Sequence, residues 1–198
     1  MAAQAATTEK PSYLGLLNAI SLAESAAGVY LEAWADATPI EDLACTLRLV
    51  AARERSHGDV FCRRLSELGY DLIKKTDPRN LEQLAKYANP NISDLEKIPP
   101  RNEGGGGEPF GDIKKRMAAG EFDHMTTNLL NWYIAEEIDS GKRLAEAYAC
   151  VRDMAGGKKK AANMNAGPSA DAEAMMACMT AGFSRIEKSL EKLAKAAR

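Results

Sequence analysis

The feature that most constrains this chain is an apolar helical stripe interrupted by a carboxylate and an imidazole. The stripe runs over Ile40, Leu43, Leu47, Val50, Glu54, His57, Phe61, Leu65 and Leu68. Steps of three and four residues place all of these side chains on one face of an α-helix. Burying Glu54 and His57 among hydrophobic residues is costly unless something compensates them. A Glu-x-x-His pair that faces the interior of a helical bundle is typical of a site that holds a transition metal.

Length and charge balance narrow the class of protein. The chain has 198 residues, 27% of them charged, and a net charge of −2, which suits a single domain over 1–198. It has no basic stripe for nucleic acid, and no stretch of about 20 residues is apolar enough to span a membrane. Residues 1–10 lack the features of a signal peptide. We therefore expect a disordered leader, a cytoplasmic location, and neither nucleic acid nor membrane as a partner.

Four cysteines occur singly, at Cys45, Cys62, Cys150 and Cys178. Because no Cys-x-x-Cys pair is present, a thiolate zinc site or a rubredoxin-type iron site is excluded. We interpret these cysteines as reduced residues that pack as small hydrophobes in a cytosolic protein.

Four long amphipathic helices are predicted, and no segment is typical of a strand. Residues 11–69 hold the first two helices, 117–154 the third and 168–198 the fourth. The intervening segment, 70–116, is far too long for a turn and permits a crossover along the bundle. One long connection between two helical hairpins is the ferritin-like arrangement rather than the plain up-down one. The sequence therefore predicts an all-α, ferritin-like four-helix bundle with a crossover insertion.

The second helix carries explicit boundary signals. Thr38 is predicted as its cap, Pro39 as its first residue and Glu41 as the residue that closes a capping box. Gly69 is predicted to terminate the helix in the left-handed conformation.

The first and third helices share a pattern that indicates an internal duplication. Leu16-Leu17-Asn18 precedes Glu24 by the same spacing by which Leu129-Leu130-Asn131 precedes Glu137. The offset is constant at 137 − 24 = 113 residues, and Gly28 matches Gly141 at the same offset.

Three helices each bring one carboxylate to the middle of an apolar face, namely Glu24, Glu54 and Glu137. His57 joins them from the next turn of the second helix. Without a counter-charge, mutual repulsion and desolvation raise the pKa values of packed carboxyls until they take up protons. A bound cation removes both problems, and carboxylate with imidazole suits iron or manganese better than zinc.

An alternative to metal is that each buried glutamate is satisfied by a neighbouring side chain. The candidate partners in the sequence are Arg53, Arg55, Tyr30 and Tyr133. This alternative predicts that the acidic groups are neutralised one by one rather than together.

The segment from Leu16 to Ser25, followed by Glu54-Arg55-Ser56-His57, resembles the first half of the rubrerythrin family within the ferritin-like superfamily. Members carry Glu on the first helix, Glu-x-x-His on the second, Glu on the third and Glu-x-x-His on the fourth. Those residues hold two irons that react with peroxide or dioxygen. The resemblance implies that Glu24, Glu54, His57 and Glu137 are metal ligands, with iron, or else manganese, as the cofactor.

The fourth predicted helix departs from this family pattern. Aligning 181–187 with 51–57 places Ser184 where the family has Glu, and Glu187 where it has His. Glu187 is therefore the fifth candidate ligand, and a site with two metals, one metal or none stays open.

His124 has ligand spacing to Glu121 but is predicted to lie at the surface near the start of the third helix. It precedes Glu137 by thirteen residues, about 220° around a helix, so the two cannot share a face. Four other residues are interpreted as surroundings rather than ligands. Glu32 and Glu136 are expected at flanking or solvated positions, and Trp34 and Trp132 as packing or dimer-contact residues.

The leading functional hypothesis is a ferritin-like, homodimeric oxidoreductase whose non-haem iron or manganese reacts with dioxygen or peroxide. Since the chain lacks rubredoxin-like cysteine pairs, an external electron donor is expected. Two alternatives are an iron-storage protein of the ferritin type and a non-catalytic helical interaction protein with a vestigial site.

Overall fold

The computed structural model describes residues 10–75, 77–100 and 110–156, and every regular element within them is α-helical. The all-α prediction is thus confirmed for this part of the chain. The predicted leader up to residue 9 and the predicted fourth helix, with Glu187 and Cys178, lie outside the described residues. The helices are α1 (Leu14–Ala37), α2 (Glu41–Glu67), α3 (Pro78–Ala88), α4 (Asp94–Lys97), α5 (Gly111–Ala118) and α6 (His124–Ala155).

The three long helices, α1, α2 and α6, run in alternating directions. At one end of the bundle the Tyr13 hydroxyl donates to Asp123 over 2.5 Å. At the other end Trp34 stacks on Tyr148 with ring centroids 5.5 Å apart, so α1 and α6 are parallel. Arg64, near the end of α2, also binds Asp123 at 2.8 Å. Helix α2 is therefore antiparallel to both of the others.

The long connection between α2 and α6 travels along the bundle and then returns. Asp94, at the start of α4, accepts hydrogen bonds from Trp34 Nε1 (2.7 Å) and Thr38 Oγ1 (2.6 Å) at the far end. By Phe110 the chain is back in the hydrophobic cluster that contains Tyr13, with the Phe110 ring 5.8 Å from that of Tyr133. The predicted crossover is wrong for these helices, because the connection is long enough for an outward and a return path. Helix α6 begins at the end where α2 finishes, which is the plain up-down order.

Helix α2 begins at Glu41, two residues later than predicted, with Ile40 at the cap position and no side-chain cap bond. The Thr38 hydroxyl is used elsewhere: it donates to Asp94 and accepts from the Ile40 N–H. The predicted end is confirmed, since Gly69 adopts φ 81°. There the Tyr70 N–H returns to the Leu65 carbonyl at 3.0 Å and closes the terminus.

Helix α6 begins at His124 rather than at residue 117. Asp123 is the residue that caps it, because its side chain accepts from the Thr126 N–H. The preceding residues 111–118 form the separate helix α5.

Two hydrophobic clusters fill the bundle, one on each side of the level of Glu24. The first includes Leu17, Ile20, Phe61, Leu130 and Tyr133. The second includes Leu31, Trp34, Val50, Ala51 and Leu144. Glu24 lies between Ile20 and Leu31 along α1, and Glu54 lies between Ala51 and Phe61 along α2. Apolar packing above and below therefore separates this level of the bundle from water.

Two glycines allow α1 and α2 to approach closely beside the carboxylates. A Cβ at Gly58 would lie 3.0 Å from the backbone nitrogen of Ser25 and 3.1 Å from the Ser21 carbonyl oxygen. A Cβ at Gly28 would lie 3.0 Å from the Ala51 carbonyl oxygen. Gly58 follows His57, and Gly28 is one turn from Glu24. The close approach of α1 and α2 therefore brings the side chains of His57 and Glu24 together.

Helix α1 is more apolar than expected, because no stretch of the sequence was predicted to be apolar enough to span a membrane. It is the one helix in the described part with the length and composition to cross a membrane, with a mean hydropathy of 1.3. However, 61% of that window is buried inside the protein, and Glu24 lies within it. Burial of this kind is what a core helix of a folded bundle shows.

The described cysteines also differ from their interpretation as packed hydrophobes. Cys45, Cys62 and Cys150 are free thiols, but Cys45 and Cys150 are exposed and Cys62 is half-buried. All three lie on the outer parts of α2 and α6.

Candidate metal centre

Four side chains from three helices meet in the interior of the bundle. Glu24 of α1, Glu54 and His57 of α2, and Glu137 of α6 each have at most 1% of their surface exposed. One ligand atom from each residue can be chosen so that all four atoms lie within 4.8 Å of one another. The helical stripe explains this convergence, because each residue occupies a core position of its own helix.

His57 presents its two ring nitrogens to different surroundings. Nδ1 lies 3.1 Å from Glu137 Oε1 and 3.9 Å from Glu24 Oε2. Nε2 lies 2.9 Å from Oε2 of Glu136, the residue before Glu137. The imidazole makes edge-to-face contacts with the rings of Trp132 and Tyr133, with centroids 5.0 and 5.1 Å away. The imidazole is thus fixed, with Nδ1 directed at the carboxylates.

Several ligand atoms in this cluster have no hydrogen-bond partner. Glu24 Oε1 accepts from the Tyr133 hydroxyl at 2.7 Å, but its second oxygen is unpartnered. The buried unpartnered atoms of the cluster are Glu24 Oε2, Glu54 Oε2, His57 Nδ1, Glu137 Oε1 and Glu137 Oε2. The 3.1 Å approach of His57 Nδ1 to Glu137 Oε1 lacks the alignment of a hydrogen bond. Native proteins rarely leave buried polar atoms in this state.

The arginines considered as neutralising partners are engaged outside the cluster. Arg53 donates to Asp139 at 2.7 Å and to Ser140 at 3.2 Å. Arg55 donates to the Gly28 carbonyl and to Glu32.

Of the two candidate tyrosines, Tyr133 donates to Glu24, and Tyr30 stacks on Tyr87 with ring centroids 5.4 Å apart. Individual neutralisation therefore accounts for one oxygen of Glu24, and it leaves the rest of the cluster unexplained.

Burial and mutual repulsion shift the pKa values of this cluster. Burial raises the pKa of Glu54 well above its usual range, and the neighbouring Glu24 and Glu137 raise it further, with Arg53 opposing them. Burial and Glu24 raise the pKa of Glu137 to about 7, although contact with His57 opposes this. Burial lowers the pKa of His57, but contacts with Glu137, Glu24 and Glu136 outweigh it and raise the value to about 10. Without a cation, protons must therefore supply the missing positive charge.

The other polar residues singled out in the sequence take different places. His124 is exposed at the start of α6, as predicted, and its ring lies 3.4 Å from Asn128 Nδ2. Glu32 is at the flank, paired with Arg55. Glu136 was predicted at a flanking or solvated position, but its carboxylate contacts His57 Nε2 at 2.9 Å. No sequence pattern indicated this contact, because Glu136 and His57 are 79 residues apart.

No protein-family model, no curated protein and no solved structure matches this chain. The function therefore has to be inferred from the chemistry of the buried cluster.

Proposed function

We propose that this protein is a non-haem iron or manganese protein of the carboxylate type, acting as an oxidoreductase on dioxygen or peroxide. The observation that carries the proposal is the convergence of one ligand atom from each of four buried side chains within 4.8 Å, in a cluster with five buried atoms that lack a hydrogen-bond partner. A buried, repulsive cluster of this kind is a cost to the folded chain, and a bound cation converts it into a stabilising site.

The donor set favours iron or manganese over other metals. Three carboxylates and a neutral imidazole carry three negative charges, which a divalent cation reduces to one and a trivalent cation to none. Calcium and magnesium prefer oxygen ligands alone, and zinc favours thiolate and imidazole. A mixed set of oxygens and one imidazole suits iron and manganese.

The described residues provide for one ion. One ligand atom from each of the four residues leaves positions open on a six-coordinate cation, where a small oxygen substrate or water could bind. The Tyr133 hydroxyl donates to Glu24 Oε1, and Oε2 is the oxygen of Glu24 that has no hydrogen-bond partner. A second ion would require ligands from outside the described residues, for which Glu187 is the sequence candidate.

When bound, the ion supplies redox capacity and polarises dioxygen or peroxide. The protein provides the surroundings. Glu54 and Glu137 contribute charge, His57 presents Nδ1, and the two hydrophobic clusters exclude bulk water from the same level of the bundle. The sequence has no Cys-x-x-Cys pair that could relay electrons, so turnover requires an external electron donor.

The ligand pattern of Glu24, Glu54, His57 and Glu137 supports kinship with the rubrerythrin family. The alternating directions of α1, α2 and α6 do not add to that support, because a ferritin-like bundle has a crossover between its hairpins. The proposal therefore draws on the ligand set rather than on the topology. A homodimer and a cytoplasmic location belong to the same proposal, and sedimentation of the purified protein tests the assembly.

Metal analysis of the purified protein tests this function. We expect about one iron or manganese per chain in the wild type, and loss of that metal in Glu54→Gln and His57→Ala. Glu146→Gln, an exposed glutamate on α6, is the matched control and should keep its metal. Reduced, metal-loaded protein should then be oxidised by peroxide or dioxygen.

Three other results would point elsewhere. Absence of metal at saturating iron and manganese, with the same result in the variants, would favour a vestigial site in an interaction protein. A large symmetric shell that accumulates many irons per chain would favour storage. Equal metal content in Glu54→Gln and the wild type would remove the cluster as the binding site.

A further inference from the structure

The two ring nitrogens of His57 have opposite surroundings, and this asymmetry has a chemical use. Nδ1 faces the carboxylates and has no hydrogen-bond partner. Nε2 faces Glu136 at 2.9 Å. Since a neutral imidazole carries one proton, the partner of one nitrogen decides whether the other has a free lone pair.

We propose that Glu136 is the positioning residue of this centre, holding the His57 ring so that Nδ1 offers its lone pair to the metal. This inference rests on the proposed function, because it assigns a role in binding the ion. Glu136 acts through His57 and is not itself a ligand.

A carboxylate without its proton can only accept a hydrogen bond, so its partner on His57 must be an N–H. The proton of the ring is thereby kept on Nε2, and Nδ1 is left as the donor atom for the cation. Histidines that bind metals nearly always have such a partner on the second nitrogen, and its loss typically costs about 10–100-fold in metal affinity.

The position of Glu136 in the fold suits this role. It follows Tyr133 by three residues and precedes Glu137 by one, so α6 supplies a ligand, a ring contact and the partner of Nε2 within little more than one turn. The Glu136 side chain is 31% exposed, whereas His57 is fully buried. Trp132, 37% exposed, contacts the same ring with centroids 5.0 Å apart. Two partly exposed side chains of α6 therefore contact the buried imidazole.

Three variants separate the hydrogen bond from the charge. Glu136→Ala removes both, and we expect Co²⁺ affinity, measured by competition with a chromophoric chelator, to fall about 10–100-fold. Glu136→Gln keeps an amide oxygen that can accept from Nε2, and we expect affinity within about threefold of the wild type. Glu146→Ala on the exposed part of α6 is the control and should leave affinity unchanged.

The nuclear magnetic resonance signal of the His57 N–H reports on the hydrogen bond to Glu136 itself, and a general loss of stability in a folded variant does not change it. We expect a slowly exchanging Nε2–H resonance in the metal-free wild type and in Glu136→Gln, and its loss in a folded Glu136→Ala protein. In the Co²⁺ form the same proton should give a strongly shifted, exchangeable signal in the wild type.

Each outcome decides the inference. Wild-type Co²⁺ affinity and an unchanged N–H signal in Glu136→Ala would overturn it while leaving the proposed metal function intact. A failure of the wild type to bind Co²⁺, Fe²⁺ or Mn²⁺ would instead remove the proposed function. In that case, dependence of the N–H signal on Glu136 would still show that this residue holds the ring, and independence would refute it.

Discussion

Two acidic sites in this bundle are built in opposite ways. At the end of the bundle Asp123 accepts four hydrogen bonds: from Tyr13 (2.5 Å), from Arg64 (2.8 Å), and from the hydroxyl and N–H of Thr126 (2.6 and 3.0 Å). In the middle of the bundle Glu54 Oε2 and both oxygens of Glu137 have no hydrogen-bond partner. The same three helices contribute to both sites.

The pKa directions follow this difference. Partial burial raises the pKa of Asp123, but the donors from Thr126, Tyr13 and Arg64 outweigh it and lower the value below its usual range. Burial raises the pKa of Glu54 and of Glu137. The chain thus satisfies a carboxylate fully where the role is structural, and this contrast with the central oxygens supports the proposed metal site.

The largest expected effect is the rise in stability of the folded protein when metal binds to the central cluster. At a free metal concentration about 1,000 times the dissociation constant, binding to the folded state alone adds about 4 kcal/mol to the free energy of unfolding. We expect the melting temperature of the wild type to rise by about 8–16 °C with Mn²⁺ or anaerobic Fe²⁺. Calorimetry of His57→Ala should show no rise. An equal rise in His57→Ala would place the metal somewhere other than the cluster.

The next test is removal of the structural carboxylate. Asp123→Ala removes the cap of α6 and leaves Arg64 and Tyr13 without their shared acceptor, so we expect a loss of about 2 kcal/mol in urea unfolding. Metal affinity should stay within about threefold of the wild type, because Asp123 does not contact the cluster. A large fall in affinity at unchanged stability would contradict the separation of the two sites.

A third test is the pH dependence of the metal-free protein. The Asp123 pKa is lowered on folding, so its contribution is present above about pH 4 and is lost in acid. Glu137 has a pKa of about 7 against 4.5, so its contribution falls as pH rises between those values. His57, at about 10 against 6.5, adds a further loss from pH 6.5 upward. Unfolding with a chelator present should show higher stability at pH 5 than at pH 8, and added metal should reduce that difference.

The smallest expected effect is on the metal-free stability of Glu54→Gln. Burial and the neighbouring glutamates raise the pKa of Glu54 well above its usual range, which favours the neutral carboxyl in the metal-free protein, and glutamine is the counterpart of that neutral form. The free energy of unfolding without metal should change by less than about 1 kcal/mol, while metal binding is lost. Strong destabilisation of the metal-free variant would indicate instead that Glu54 is a structural carboxylate like Asp123.

The sequence was sufficient to bring the four central residues together, because their positions follow from helical spacing on an apolar face. Glu24, Glu54, His57 and Glu137 each replace a core hydrophobe, which is a signal that one chain alone can show. Whether they bind metal stays a prediction. Glu136 was missed, because it lies about 100° from Glu137 around α6, and only its long side chain reaches His57.

Helix directions could not be obtained in the same way. Periodicity identifies which face of a helix is buried, but it does not say how far a long connection travels before returning. The start of α2 was misplaced for a related reason, since Asp94 engages the hydroxyl of Thr38 from far away in sequence. Contacts between distant segments of this kind carry no local pattern.

The connection between Gly69 and Asp123 returns to the end of the bundle where it began. Its length is therefore not needed to join α2 to α6. A short linker could join α2 to α6 without reversing any helix, because Arg64 and Asp123 are already in contact. Such a shortened chain would lose Phe110 from beside Tyr133 and Asp94 from beside Trp34. This segment adds Phe110 to one hydrophobic cluster and Tyr87 and Ile98 to the other, so we expect its removal to expose the Glu24 level to water before it disturbs the order of the helices.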